Sequence, residues 1–219
     1  MSGVLIIVAR RYNHHELWGT LAVLKRNNIT YKVLSTHPII VSEKPGKAGL
    51  ELAPQINRLT DTLDTFKPSQ AGSLDGLMII SGHPTDTLAY WDDPRALEWV
   101  DYFHKANMSI AGICCSVPTI RHAAGGKEVS HYPLRRATKL LKEAGAILSP
   151  KSLSVSENLV TAEHEMYTEQ QTQEFANLLL GRPREFYPKA TSMPKSGFER
   201  KPVPEIEEII RRTRSPKRD

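Results

Sequence analysis

An α/β sandwich on a mainly parallel sheet is the fold class this sequence predicts, and three observations predict it. Apolar runs too continuous for a half-exposed strand occur at Val4 to Ala9, Leu77 to Ile80 and Ile110 to Ile113, the pattern of strands buried on both faces. Between them the hydrophobic period changes to that of amphipathic helices. Each run then breaks into a turn, and in such folds the carboxyl ends of the strands are where ligands gather.

The elements follow in order. Val4 to Ala9 is the first strand, and from Asn13 a helix carries Leu17, Leu21 and Leu24 on one side until Asn27-Asn28 closes it. Asn13 and Glu16 have the spacing of a capping box. Tyr31 to Ser35 is again strand, and a strand, helix, strand order implies a right-handed crossover and a parallel pair. Residues Glu43 to Gly72 are polar and rich in Lys, Pro, Gly and Thr, and read as an excursion with a short strand and helix. Leu77 to Ile80 stops at the turn cluster Ser81-Gly82-His83-Pro84. Asp93 caps a helix with Pro94 in its first position and Leu97, Val100 and Phe103 on its inner face, ending near Asn107.

Ile110 to Ile113 feeds a helix that ends at Gly125-Gly126. Pro133 to Gly145 is a further helix, with Leu134, Ala137, Leu140 and Leu141 on one face and Gly145 as its stop. Short strands are expected at Ile147 to Leu148, Leu153 to Val155 and Leu159 to Thr161, the last two joined by the turn Ser156-Glu157-Asn158. Thr168 and Gln171 have capping-box spacing ahead of a last helix bearing Phe175, Leu178 and Leu179 and stopped by Gly181. The domain is therefore expected over residues 1–181. Residues 182–219 form a proline-rich basic extension with one helical candidate around Glu205 to Arg212.

Composition bounds the function. With 219 residues and 40% hydrophobic content the chain is long enough for one full core. Much of the net charge of +5 sits in Arg200, Lys201, Arg211, Arg212, Arg214, Lys217 and Arg218, which reads as a solvated terminus and not as a nucleic-acid face. No run is long enough to span a bilayer, and no basic region precedes the first apolar run, so a soluble, cytoplasmic protein is expected. The 2 cysteines are adjacent and cannot staple distant segments, which suits a reducing compartment.

Chemistry points to Ala111-Gly-Ile-Cys-Cys-Ser-Val-Pro118. Gly112 and Ser116 flank Cys114 two positions to either side, the outline of a nucleophile elbow, where small neighbours let backbone segments approach closely. The helix beyond would aim its free N–H groups at the sulfur and favour thiolate. The plainer reading of Cys114 is a small buried hydrophobe. Cys115 should point its sulfur elsewhere, but its backbone N–H and that of His83 are placed to donate to an oxyanion. Glu16 is either a helix cap or a carboxyl reaching across the strand ends to the thiol, with a raised pKa if desolvated. His131, just ahead of a helix, is a candidate base or proton shuttle, or a simple capping group. Two triplets, His14-His15-Glu16 and Glu163-His164-Glu165, carry metal-ligating atoms, but adjacent residues do not share a face, and no metal site is expected.

The chain resembles the ThiJ/PfpI family of the class I glutamine amidotransferase-like group over roughly Val4 to Gly181. The resemblance rests on the first strand and its Glu16-bearing helix, on Ile79-Ile80-Ser81-Gly82-His83 where the family often has a strand ending in Pro-Gly-Gly, on the elbow, and on Val129-Ser-His-Tyr-Pro133. It implies a flavodoxin-like three-layer α/β/α sandwich, usually dimeric, with no organic cofactor. It also implies Cys114 as nucleophile, Glu16 as its hydrogen-bonding carboxyl, and the N–H groups of His83 and Cys115 as oxyanion donors. Where many members have a histidine directly after the nucleophile this chain has Cys115, so His131 would have to substitute. Where relatives often have Thr-Ser-Arg-Gly-Pro, it has Thr161-Ala-Glu-His-Glu165.

The expected function is a cysteine-dependent enzyme, glyoxalase- or deglycase-like, acting on a small carbonyl or acyl compound as a homodimer or higher homo-oligomer. Three other readings stand beside it: a redox-sensing or chaperone-like stress protein using Cys114, an intracellular peptidase or amidase, and a binding module that uses the basic tail.

Overall fold

Strands and helices alternate along the chain in the computed structural model, which describes residues 2–42 and 56–183. The first half runs β1 (Gly3–Val8), β2 (Arg11–Tyr12), α1 (His14–Arg26), β3 (Thr30–Leu34), β4 (Ile39–Ser42), β5 (Ile56–Arg58), β6 (Leu74–Ile80) and α2 (Pro84–Tyr90). The second runs α3 (Pro94–Lys105), β7 (Ser109–Ile113), a 3-10 segment (Cys114–Ala123), β8 (Glu128–Val129), α4 (Arg135–Glu143), β9 (Ile147–Leu148), β10 (Leu153–Ser156), β11 (Leu159–Ala162) and α5 (Thr168–Leu179).

The central sheet has the order β10-β11-β7-β6-β1-β3. Every pair in it is parallel except the outer β10–β11 hairpin. Its middle strands are apolar at successive positions because both faces are covered. Val4, Ile6 and Val8 of β1 join Leu17 and Leu24 of α1 and Phe175 and Ala176 of α5 in one buried cluster. Their alternates Leu5 and Ile7, followed by Ala9, join Trp99, Val100 and Phe103 of α3 and Val117 and Ile120 of the 3-10 segment in the other. The result is the expected flavodoxin-like three-layer sandwich.

Because β1, β6 and β7 are neighbours, the turns after them lie side by side. The first two are clasped. Tyr12 bridges Gly82, the Asn13 amide donates to the Ser81 carbonyl at 2.9 Å, and the His83 amide donates to the Arg11 carbonyl at 2.7 Å. Gly82 is required by this approach, since a Cβ there would stand 1.9 Å from the Arg11 oxygen. The Arg11 guanidinium closes the clasp on Asp86 at 2.7 and 2.9 Å and on Thr85 at 2.7 Å.

Several expectations change. The turn cluster at Ser81 to Pro84 opens directly into α2, with Pro84 in its first turn. Ile39–Ser42 is a strand, pairing parallel with β2 and antiparallel with β5 in a small second sheet. The excursion contains β5 and a 3-10 turn at Pro68–Gln70, while residues 43–55 lie outside the described residues. Thr168 and Gln171 do not form a capping box: the Gln171 amide group crosses to the carbonyls of Gly112 and Val160 at 2.7 and 3.2 Å. The expected extension lies, from residue 184 onward, outside the described residues. No helix among the described residues is long and apolar enough to cross a membrane.

Candidate active site at the Cys114 elbow

The bend after β7 is built by its small residues. A Cβ on Gly112 would meet Ile120 Cδ1 at 2.9 Å and Val117 Cα at 3.3 Å, so the returning chain packs directly on the strand. Ser116, fully buried, accepts the Ile113 amide at 2.9 Å and turns its own hydroxyl toward the carbonyls of Ile79 and Ile113, at 2.6 and 2.7 Å. The elbow is thereby tied to the adjacent strand β6. Trp91, also fully buried, donates its indole N–H to the Cys115 carbonyl at 2.8 Å, and Arg121 donates to the Trp91 carbonyl.

Cys114 sits on this bend at φ +54°, a conformation that costs a residue with a side chain about 1–3 kcal/mol. Such strain persists only where the surroundings over-determine it. The side chain is partly buried against the α1/α5 side of the core, and both cysteines are free thiols. Cys114 Sγ lies 3.8 Å from Cys115 Sγ and donates to it.

Glu16 reaches the site from the first turn of α1, where Asn13 caps the helix by accepting the Glu16 amide at 3.2 Å. The capping box is therefore half made. The Glu16 carboxylate goes instead to Ser81, accepting its N–H at 2.7 Å and its O–H at 2.6 Å with no exposure to solvent.

The electrostatics reverse one expectation. The Cys114 thiol is pushed well up, first by its hydrogen bond to the Cys115 sulfur, then by burial and by the negative charges of Cys115 and Glu16, with only the Cys115 N–H favouring the thiolate. The resting form is the thiol. A helix dipole does little to oppose this, because the segment after Cys114 is 3-10 and loses helical geometry at Ile120.

Two further expectations meet different geometry. The His83 N–H is spent on the Arg11 carbonyl and is not free to face an oxyanion, because the β1 and β6 turns close on each other. The His131 ring bonds through Nε2 to Thr138 Oγ1 of α4 at 2.9 Å; burial lowers its pKa, with Glu163 opposing. The group that responds to both sulfurs is its neighbour. The Tyr132 phenol is raised by burial, then by the negative charge that Cys114 or Cys115 carries when ionised, and by Glu163 and Glu165, so it stays protonated around neutral pH. Its ring lies 6.5 Å from that of His164. Glu165 also accepts Asn13 Nδ2 at 2.7 Å, tying the loop after β11 to the start of α1.

Sequence reasoning missed Tyr132, Ser81 and Trp91. Tyr132 lies in the motif Ser130-His131-Tyr132-Pro133, where the adjacent imidazole, not the phenol, has the ordinary pKa nearer neutrality. No group of three or more metal-ligating side chains occurs among the described residues.

The profile of the DJ-1/PfpI family matches residues 2–178. This chain belongs to the DJ-1/PfpI family. An uncharacterized protein of Methanocaldococcus jannaschii is 27% identical over 169 residues, 75% of each chain. Among solved structures, a ThiJ/PfpI domain protein from Brachyspira murdochii superposes with a TM-score of 0.66 at 17% identity, covering 83% of this chain and 98% of its own. A putative protease I from Bacteroides thetaiotaomicron gives 0.66 at 17% identity, covering 82% and 99%. A point mutant of Schizosaccharomyces pombe DJ-1 gives 0.63 at 15% identity, covering 99% and 100%. Identities this low establish a shared DJ-1/PfpI fold, while the chemistry has to be argued from the side chains at the elbow.

Proposed function

We propose that this chain is a cysteine-dependent enzyme of small carbonyl compounds, converting an α-oxoaldehyde such as methylglyoxal to the 2-hydroxy acid as a glyoxalase does. The observation that carries the reading is the surroundings of one sulfur: Cys114, strained at φ +54° on the bend after β7, has the Cys115 N–H beside it and is acted on by the buried Glu16 carboxylate.

In the resting site the proton is on sulfur. When the sulfur bonds to the aldehyde carbon, its proton passes to Glu16 and the carbonyl electron pair moves onto oxygen. The Tyr132 O–H and the Cys115 N–H stabilise that oxygen, in the place expected for the His83 amide. Glu16 returns the proton to give a hemithioacetal. A proton moved from C1 to C2, again through Glu16, with the hydroxyl proton passing from the C1 oxygen to the C2 oxygen, yields the thioester of the hydroxy acid. Water hydrolyses it, releasing the acid and restoring the thiol. C1 is oxidised as C2 is reduced, so water is the sole co-reactant.

The peptidase alternative has less support, since Cys115 stands where many relatives carry a histidine. DJ-1/PfpI proteins are often oligomers, and a cytoplasmic homodimer with both thiols reduced is part of this reading.

The test is turnover of methylglyoxal to lactate. Cys114→Ser should abolish it, while Cys115→Ser, which keeps the amide, should largely spare it. Equal loss in both variants would refute the assignment of Cys114 as the nucleophile.

A further inference from the structure

The mechanism above leaves one sulfur unused. Cys115 Sγ is 3.8 Å from Cys114 Sγ, about the contact distance of two sulfur atoms, and both residues are partly exposed. The two sulfurs are thus already in contact in the folded chain. The backbone of the pair is also held on each side, by the Ser116 hydroxyl on Ile113 and by the Trp91 indole on the Cys115 carbonyl. Oxidation at either sulfur is thus presented to the other without competition from a distant thiol, because these are the 2 cysteines of the chain.

We propose that Cys114 and Cys115 form a peroxide-reactive dithiol in which Cys115 resolves oxidised Cys114 as a disulfide between adjacent residues. In the first step Cys114 sulfur attacks a peroxide oxygen: the S–O bond forms, the O–O bond breaks, sulfur is oxidised by two electrons to the sulfenic acid, and the leaving oxygen takes the thiol proton to depart as water or an alcohol. In the second, Cys115 sulfur attacks the sulfenyl sulfur. The S–S bond forms, the S–O bond breaks, and the departing hydroxide takes the Cys115 proton to become water.

The product has a particular character. Consecutive Cα atoms are about 3.8 Å apart, below the usual span of a disulfide, so the ring is strained and easily opened by an external thiol. The pair therefore diverts Cys114 from the irreversible sulfinic acid into a form that a cellular thiol restores. This chemistry stands whether or not the protein turns over carbonyl compounds, and its test does not use turnover.

Intact full-length protein is treated with hydrogen peroxide near stoichiometry and analysed by mass spectrometry. The peptide bearing both cysteines should become two hydrogens lighter within one chain and return fully with dithiothreitol. In Cys115→Ser, dimedone should capture a Cys114 sulfenic acid, and without dimedone the peptide should gain two oxygens irreversibly, at least about tenfold faster than in the wild type. Cys115→Ala repeats the measurement should the serine variant fold poorly. The proposal is overturned if wild type and variants reach the sulfinic acid at the same rate, or if the wild-type disulfide joins two chains.

Discussion

The buried Glu16 carboxylate accepts both hydrogens that Ser81 offers, the amide at 2.7 Å and the hydroxyl at 2.6 Å. These bonds fix the acid at the ends of β1 and β6, and its charge acts on the Cys114 thiol two strands from its own helix entry. One contact thus serves the fold, by satisfying a buried N–H, and the chemistry, by setting where a proton rests.

Replacing Glu16 by glutamine separates those roles. A glutamine keeps both partners, its oxygen accepting the Ser81 N–H and its amide donating to Ser81 Oγ, so the fold should survive. With the negative charge gone, Cys114 should ionise at lower pH, and alkylation by iodoacetamide at neutral pH should speed up by about tenfold per unit of pKa lost. Turnover should fall by about 10²-fold or more, because the proton acceptor is absent. Slower or unchanged alkylation would show that the sulfur does not feel this carboxylate.

Ser116→Ala tests how the bend is held. The serine hydroxyl is the partner of the buried Ile113 amide, and its removal leaves that N–H unsatisfied. The expected cost is about 1–3 kcal/mol of stability. Urea denaturation should show it as a lower midpoint with an unchanged slope. A midpoint equal to that of the wild type would mean that a water or a shifted backbone replaces the bond.

The fold was legible wherever burial dictates residue type over a whole element. Val4 to Ala9 had to be apolar at every position because helices cover both faces, and the elbow showed itself through Gly112 and Ser116, whose small size is a local steric demand. The seven residues of α2 span too few turns for a helical period to emerge, and Ile39–Ser42 is a strand only because β2 and β5 lie beside it. Site contacts made across long sequence separations were beyond reach. Nothing local to Gln171 announces that its amide belongs to the Gly112 carbonyl, and nothing local to His83 says that Arg11 will take its N–H.

Tyr132→Phe should keep the ring, and with it the packing beside His164, while removing the hydroxyl that responds to Cys114 and Cys115. In the proposed mechanism that hydroxyl is one of two donors to the developing oxyanion, and its loss should cost about 10²-fold in kcat, with KM little changed. Alkylation of Cys114 in the absence of substrate should be affected far less than turnover. A variant with wild-type kcat would remove Tyr132 from the mechanism.

His131 makes a prediction about stability. Burial holds its folded pKa below the ordinary imidazole value of about 6.5, with Glu163 opposing. Below that value the unfolded chain takes up a proton that the folded chain resists. The stabilisation is therefore complete above pH 6.5 and is lost as the pH falls from there through the folded pKa. His14 and His83 are also lowered by burial, so part of the slope belongs to them. Carboxylates such as Asp86, held low when its bonds to Arg11 outweigh its burial, act in a separate window below about pH 4. Urea midpoints measured at about pH 7.5 and pH 5.5 should therefore drop for the wild type and drop less for His131→Gln, which removes one titrating group and can still bond Thr138. Equal drops in the two proteins would mean that the His131 ring is as accessible to protonation in the folded chain as in the unfolded one.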